Sequence, residues 1–236
     1  MQAYFDFLYN PVYDITTARL NRYRESQRRC IGEFEFNDGD TILCVGIGTG
    51  NEVLHILQAN RNVKIVGIDY SKTAVQKAYK KALALGKKIE VFRMDARCLK
   101  FPAESFDKVL CFHVIDFVED GREVTREILR VLKGGGQFLI TYPSDKEGPK
   151  LGYKLLKDSI YHSGKKPTKT ILDLALQMVV GIVYIPLLLR PRRQSYSHDD
   201  LEGMLTELAG NNFQIEEDAV YQDFIICGRK LTGGGG

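Results

Sequence analysis

The segment Ile42-Leu43-Cys44-Val45-Gly46-Ile47-Gly48-Thr49-Gly50-Asn51-Glu52 constrains this chain more than any other. An uninterrupted apolar run ends directly in a GxGxG turn, and a helix-like stretch from Glu52 to Leu57 follows. Continuous hydrophobicity over so few residues is how a strand buried on both faces of a parallel sheet reads. Glycines at such a turn let the backbone bend tightly and let a ligand approach it with no Cβ in the way.

The same texture repeats. Val63 to Ile68, Ile89 to Arg93, Lys108 to Phe112 and Gln137 to Thr141 read as further strands. Between them, Ser71 is placed to cap a helix from Lys72 to Leu85 that ends at Gly86. Val124, Ile128, Leu129, Val131 and Leu132 share one face of a later helix, which Gly134, Gly135 and Gly136 are expected to stop. Ser197 should cap a helix from His198 to Leu208, ended by Gly210. Phe213 to Ile215 and Phe224 to Cys227 then read as a strand pair. Strand–helix alternation implies right-handed βαβ units. The predicted fold is α/β, a Rossmann-like, doubly wound, mostly parallel sheet with a C-terminal antiparallel edge hairpin and a helical lid insertion. Its ligand belongs beyond the carboxyl ends of the strands. Asp69 ends the second strand about 20 residues after the glycine turn, where a carboxylate can accept both ribose hydroxyls of a nucleoside.

A chain of 236 residues with 44 % hydrophobic and 27 % charged residues suits one elaborated domain. The expected division is a helical cap over 1–35, a ligand-binding core over 36–143, a lid insertion over 144–195, and a helix with a strand pair over 196–231. The domain would run to residue 232, with a Gly tail over 233–236. Cys30, Cys44, Cys98, Cys111 and Cys227 include no CxxC pair, and three of them sit inside strand-like runs. A reducing, cytoplasmic setting fits that usage. Met1 to Asp6 lacks the basic and apolar regions of a signal peptide. The net charge is only +3, but 145–197 holds ten Lys/Arg against four Asp/Glu. Arg19, Arg22, Arg24, Arg28 and Arg29 form a second basic cluster. Either could face an anionic surface.

On these residues the chain resembles the class I S-adenosylmethionine-dependent methyltransferases. The resemblance covers roughly 36–143 and, more loosely, 196–230. It rests on Val45-Gly46-Ile47-Gly48-Thr49-Gly50, Gly67-Ile68-Asp69-Tyr70-Ser71, Met94-Asp95-Ala96, Ser105-Phe106-Asp107 leading into Val109 to His113, Leu129 to Gly136, and Tyr196 to Leu201. It implies that Gly46, Ile47, Gly48, Thr49 and Gly50 pass under the methionine part of S-adenosyl-L-methionine. It implies that Asp69, followed by Tyr70, holds the ribose. Asp95 would accept the adenine amino group, with Met94 and Ala96 beside the ring. Cys111, Phe112 and His113 would line the site near the sulfonium, and S-adenosyl-L-homocysteine would be the product. Two positions depart from the family pattern: many relatives carry Asp or Glu where this chain has Cys44, and His where it has Asp116.

A sulfonium is already an activated methyl donor, so the protein needs to place the acceptor in line and to take up a proton only if the acceptor must lose one. No HExxH, GxSxG, HxH or CxxC pattern is present, and no metal is expected. The candidate proton acceptors are His113, Asp116 and the tyrosines Tyr4, Tyr9 and Tyr13, with Tyr13 the tyrosine carried forward. The segment from Tyr9 to Asp14 is similar to the start of ubiquinone/menaquinone-type and phospholipid-type methyltransferases. Ile171 to Leu189 is apolar except for Asp173, Gln177 and small residues, and Arg190, Arg192 and Arg193 follow. Asp173 and Pro186 argue against a membrane span; a core-facing lid and an interfacial helix remain the two readings. Both point to a hydrophobic small-molecule acceptor (a lipid, quinone or isoprenoid), with peripheral contact to the inner face of a membrane through 171–193 in the second. The rivals are a soluble polar metabolite as acceptor, or a non-catalytic cofactor-binding or membrane-adaptor protein. With no NPPY-like motif, no nucleic-acid partner is expected.

Overall fold

The computed structural model describes residues 2–17, 21–145, 182, 194–218 and 223–232. Seven strands form one sheet: β1 (Thr41–Val45), β2 (Lys64–Asp69), β3 (Glu90–Arg93), β4 (Phe106–Cys111), β5 (Leu132–Pro143), β6 (Phe213–Glu217) and β7 (Asp223–Arg229). Their order is β3-β2-β1-β4-β5-β7-β6. The first five strands pair in parallel, and β7 runs antiparallel to both neighbours. The predicted strand pair does close one edge, with β7 returning inside β6. Side-chain chemistry accounts for that order. Phe224, Ile225 and Ile226 form a run buried on both faces, whereas β6 alternates Phe213 and Ile215 with polar Gln214, Glu216 and Glu217, as a partly solvated edge requires.

Alternation along the central strands divides the core in two. Leu43 and Val45 of β1 pack with Val124 and Ile128 of α6 (Gly121–Val131) and Leu201 and Leu205 of α7 (His198–Ala209). Ile42 and Cys44 point the other way, against Ile31 of α3 (Asn21–Gly32), Ile56 of α4 (Asn51–Ala59) and Ala78 of α5 (Lys72–Ala84). The caps read from the sequence are present: Ser71 Oγ accepts from Ala74 N–H, and Ser197 Oγ from Asp200 N–H.

The glycine triplet does something other than stop a helix. Helix α6 ends at Val131, and Leu132 already pairs with Phe106. The register then slips, so that Gln137 is the next partner, opposite Lys108. Lys133 to Gly136 form the bulge between. Gly135 has φ +75°, and a Cβ on Gly136 would lie 2.7 Å from the Leu132 side chain and 2.9 Å from the Asp107 carbonyl oxygen. Close backbone approach, more than helix termination, selects glycine here.

The chain leaves the sheet after β5 and comes back at Tyr196. Tyr196 donates its N–H to Pro143 O, and Asp145 donates to Tyr196 O, both at 2.9 Å. The predicted lid helix, its apolar stretch 171–189 and its arginines lie outside the described residues apart from Ile182, which is exposed. The Gly tail also lies outside them. No helix among the described residues is long and apolar enough to cross a membrane.

Candidate cofactor and acceptor site

Strand β1 delivers the glycine turn to the carboxyl edge of the sheet. Gly46, Gly48 and Gly50 all have left-handed φ, at +67°, +53° and +81°. A Cβ on Gly46 would strike Val114 at 2.2 Å, so this glycine serves packing. A Cβ on Gly48 would meet nothing nearer than 3.9 Å, so this glycine borders open space that a ligand can enter. Ile47 and Thr49 between them are buried. Asp69, at the end of β2, accepts Gly48 N–H at 2.9 Å and Ser71 N–H at 2.8 Å. Burial raises its pKa, against the pull of those two N–H groups. Its carboxylate therefore fixes the turn while lying in the position the resemblance gives to the ribose partner.

At the end of β3, Met94 N–H donates to Asp69 O at 3.0 Å, which sets the two strand ends side by side. Tyr70 is exposed, with the Arg93 guanidinium 5.8 Å from its ring centre. Ala96 is buried and Met94 half-buried. Asp95 accepts from Arg97 N at 2.9 Å and Arg97 Nη2 at 2.8 Å, and those bonds hold its carboxyl below the usual range. An open glycine turn with carboxylates at the ends of β2 and β3 fits an adenosyl ligand.

Strand β4 supplies the other side. Cys111 is fully buried in the core beside α6, and burial pushes its thiol pKa up. Phe112 and His113 turn to a narrow cleft shared with Ser26, Thr141, Asp218 and Asp223. His113 has φ +52°, a strained value for a side chain of its size, and its N–H is held by Thr141 Oγ1 at 2.7 Å. Its Nδ1 lies 3.1 Å from Asp223 Oδ2 and 3.8 Å from Asp116 Oδ2. Burial opposes charge on the imidazole, but the two carboxylates outweigh it, and the pKa is pushed up to about 10. The imidazole thus sits between two carboxylates that favour its protonated form. Asp218, accepting from Ser26 Oγ at 2.6 Å, adds a further carboxylate to the cleft. Such a cleft can hold a cationic group or orient an acceptor through the imidazolium, with the proton of an ionising acceptor passing to a carboxylate. The ligating atoms of His113, Asp116 and Asp223 lie within 4.8 Å of one another, a donor set that a divalent cation could also use.

The N-terminal helical run covers this edge. It comprises α1 (Gln2–Tyr4), a π-helical turn (Phe5–Tyr9) and α2 (Asn10–Thr17). Phe5 packs edge-on against Phe117, just beyond His113, with ring centres 5.3 Å apart. Asp6 accepts from Ser71 Oγ and from Thr73 N–H, capping α5. Asp14 takes Lys81 Nζ at 2.7 Å and the Thr49 hydroxyl at 2.5 Å, which ties the run to the glycine turn itself. Tyr13 is half-buried with its ring 5.1 Å from that of Tyr9, and Tyr4 packs on Phe5. The tyrosines therefore join the cover, His113 lines the cleft, and Asp116 stands behind it, 3.8 Å from the imidazole. The sequence reading missed Asp223, Asp218 and Thr141, which reach the cleft only through sheet pairing, and Glu52, whose place at a helix start reads as ordinary.

Comparison with known proteins bears on the family and the fold. Residues 43–140 match the family described as "Methyltransferase domain". The "Phosphatidylethanolamine N-methyltransferase" of Cereibacter sphaeroides is 32 % identical over 131 residues, 55 % of this chain and 62 % of that protein. The chain thus spans less than two thirds of that relative. The "Putative methyltransferase YrhH" of Bacillus subtilis (strain 168) is 32 % identical over 132 residues, 54 % of this chain and 72 % of that protein. A solved SAM-dependent methyltransferase from Aquifex aeolicus shares the fold at a TM-score of 0.58, with 16 % identity over 87 % of this chain and 89 % of its own. Glycine turn, strand order and these similarities together place the chain in the class I S-adenosylmethionine-dependent methyltransferase family.

Proposed function

We propose that this protein transfers the methyl group of S-adenosyl-L-methionine to a hydrophobic small molecule of the lipid, quinone or isoprenoid class, taken up at a membrane surface. The cofactor supplies a sulfonium-activated methyl group. The chain's own residues hold the adenosyl part along Gly46 to Gly50, Asp69 and Asp95. They place the acceptor's reacting atom at the cleft of His113, Asp116 and Asp223. The observation that carries the reading is that cleft: it lies at the end of β4, the strand beside β1, and its His113, Asp218 and Asp223 suit an amine headgroup or an ionising hydroxyl. The Cereibacter sphaeroides relative, named for a phospholipid amine, supports the same acceptor class. So does the apolar stretch 171–189, which follows β5 in the sequence. Phe7, 83 % exposed, and Leu8 add apolar surface on the helical run over that edge.

The test uses purified protein, labelled S-adenosylmethionine and lipid extracts fractionated by headgroup and by isoprenoid content. Label in an organic-soluble product supports the reading. Label confined to water-soluble metabolites, with no recovery of protein on floated liposomes, favours a polar acceptor instead. Tight cofactor binding with no turnover on either class identifies a non-catalytic binder.

A further inference from the structure

The amino-acid end of the cofactor carries an ammonium group, and an ammonium taken out of water needs an anionic or carbonyl acceptor. Three carboxylates surround the glycine turn. Asp69 is engaged by Gly48 and Ser71 N–H groups, and Asp14 by Lys81 and Thr49. The third, Glu52, stands in the first turn of α4, directly after the turn.

Glu52 is an unusual residue to bury. Only 8 % of it is exposed. Its Oε1 takes a long hydrogen bond from Gln27 Nε2 at 3.3 Å, and its Oε2 has no hydrogen-bond partner among the described residues. Its charge is felt by Cys44 in β1, by His113 at the end of β4 and by Asp69 at the end of β2. Glu52 lies on the buried face of α4 with Val53, Ile56 and Leu57, two residues after Gly50 of the glycine turn. Burial raises its pKa to about 7 despite the field of Lys81. An orphaned buried carboxyl oxygen costs stability, which an apolar side chain would avoid.

We infer that Glu52 is the anchor for the cofactor's ammonium group, its Oε2 reaching the ligand across the small side chain of Cys44. This rests on S-adenosylmethionine being the cofactor. The carboxylate thus arrives from the helix after the glycine turn, while the strand before the turn contributes only a thiol. Cys44 leaves room for it, and Gln27 from the N-terminal cap holds its other oxygen. Glu52 is then a specificity residue for adenosyl ligands that keep their amino group.

The test is calorimetric binding of two ligands to the full chain and to Glu52→Gln: S-adenosylhomocysteine, and its deaminated analogue S-adenosyl-4-thiobutyrate, which keeps the carboxylate. The expected result is at least about a tenfold loss for the first ligand and less than about twofold for the second. Equal losses for both, or no loss for either, overturn the assignment. Because Glu52→Gln alters a buried site, Cys44→Asp in the same chain is the second variant. Recovered affinity for S-adenosylhomocysteine in the double variant supports a charge role; a well-folded double variant that stays weak speaks against it. Failure of the unaltered protein to bind S-adenosylhomocysteine would instead overturn the cofactor itself.

Discussion

His113 Nδ1 and Asp223 Oδ2 lie 3.1 Å apart, one at the end of β4 and the other at the start of β7, with β5 between their strands. This contact spans the sheet's switch from parallel to antiparallel pairing, and it makes the site depend on the C-terminal strand pair. Because the pKa of His113 is raised from 6.5 to about 10, its ion pairing contributes stability fully below pH 6.5 and loses it as pH climbs through 10. Urea denaturation should show stability falling between those limits, by up to about 5 kcal/mol if the unfolded imidazole titrates normally. Asp223→Asn should flatten that slope; an unchanged slope would show that the pair does not titrate as a unit.

His113→Gln is expected to lower methyl-transfer turnover by about a hundredfold while leaving the Kd for S-adenosylhomocysteine within about threefold. Single-turnover rates and calorimetry on the same preparation separate the two quantities. An equal loss in both would move His113 from the acceptor cleft to the cofactor pocket.

Gly48 and Gly46 should part company. A Cβ on Gly48 points into open space, so Gly48→Ala should cost about 1 kcal/mol for its left-handed backbone, yet weaken cofactor binding by tenfold or more. Gly46→Ala must displace Val114 and should be the less stable protein. Thermal melts with and without S-adenosylhomocysteine give the comparison. A Gly48→Ala protein that still gains full thermal protection from the ligand contradicts the cradle described.

Deep in the core, the Tyr142 hydroxyl lies 2.6 Å from Thr125 Oγ1, which donates to Gly121 O. Tyr142→Phe removes one member of a satisfied buried chain. It should cost about 1 kcal/mol in chemical denaturation, with turnover unchanged. A large loss of activity would give Tyr142 a part in the site that its full burial argues against.

Asp14→Ala removes both the ion pair to Lys81 and the acceptor for the Thr49 hydroxyl. Hydrogen exchange should rise across residues 2–17, while α5 keeps its protection. Added S-adenosylhomocysteine should restore slow exchange if the N-terminal run closes on the ligand.

What was legible in the sequence was local. The run from Ile42 to Val45, the glycines after it and Ser71 before α5 each carry their geometry in neighbouring residues, so strand, turn and cap could be read directly. Gly134 to Gly136 misled because a helix stop and a strand bulge call for the same residue, and only pairing with β4 distinguishes them. Asp223 was not visible because its partner is set by the register of β5 on β7, which places Asp223 opposite Pro143. Glu52 was hidden for a different reason: an acid in a helix's first turn is favoured by the helix dipole alone, and only its burial shows that more is asked of it.

The hydrogen bonds that join Pro143 and Asp145 to Tyr196 bring together the departure and return of the segment between them. Ends that already touch can be joined by a short loop, because closing a small gap costs little chain entropy. A shortened chain with residues 145 and 194 bridged by a brief Gly/Ser link is therefore expected to keep the strand order, and calorimetry with S-adenosylhomocysteine on that variant reads whether the glycine turn alone suffices for the cofactor.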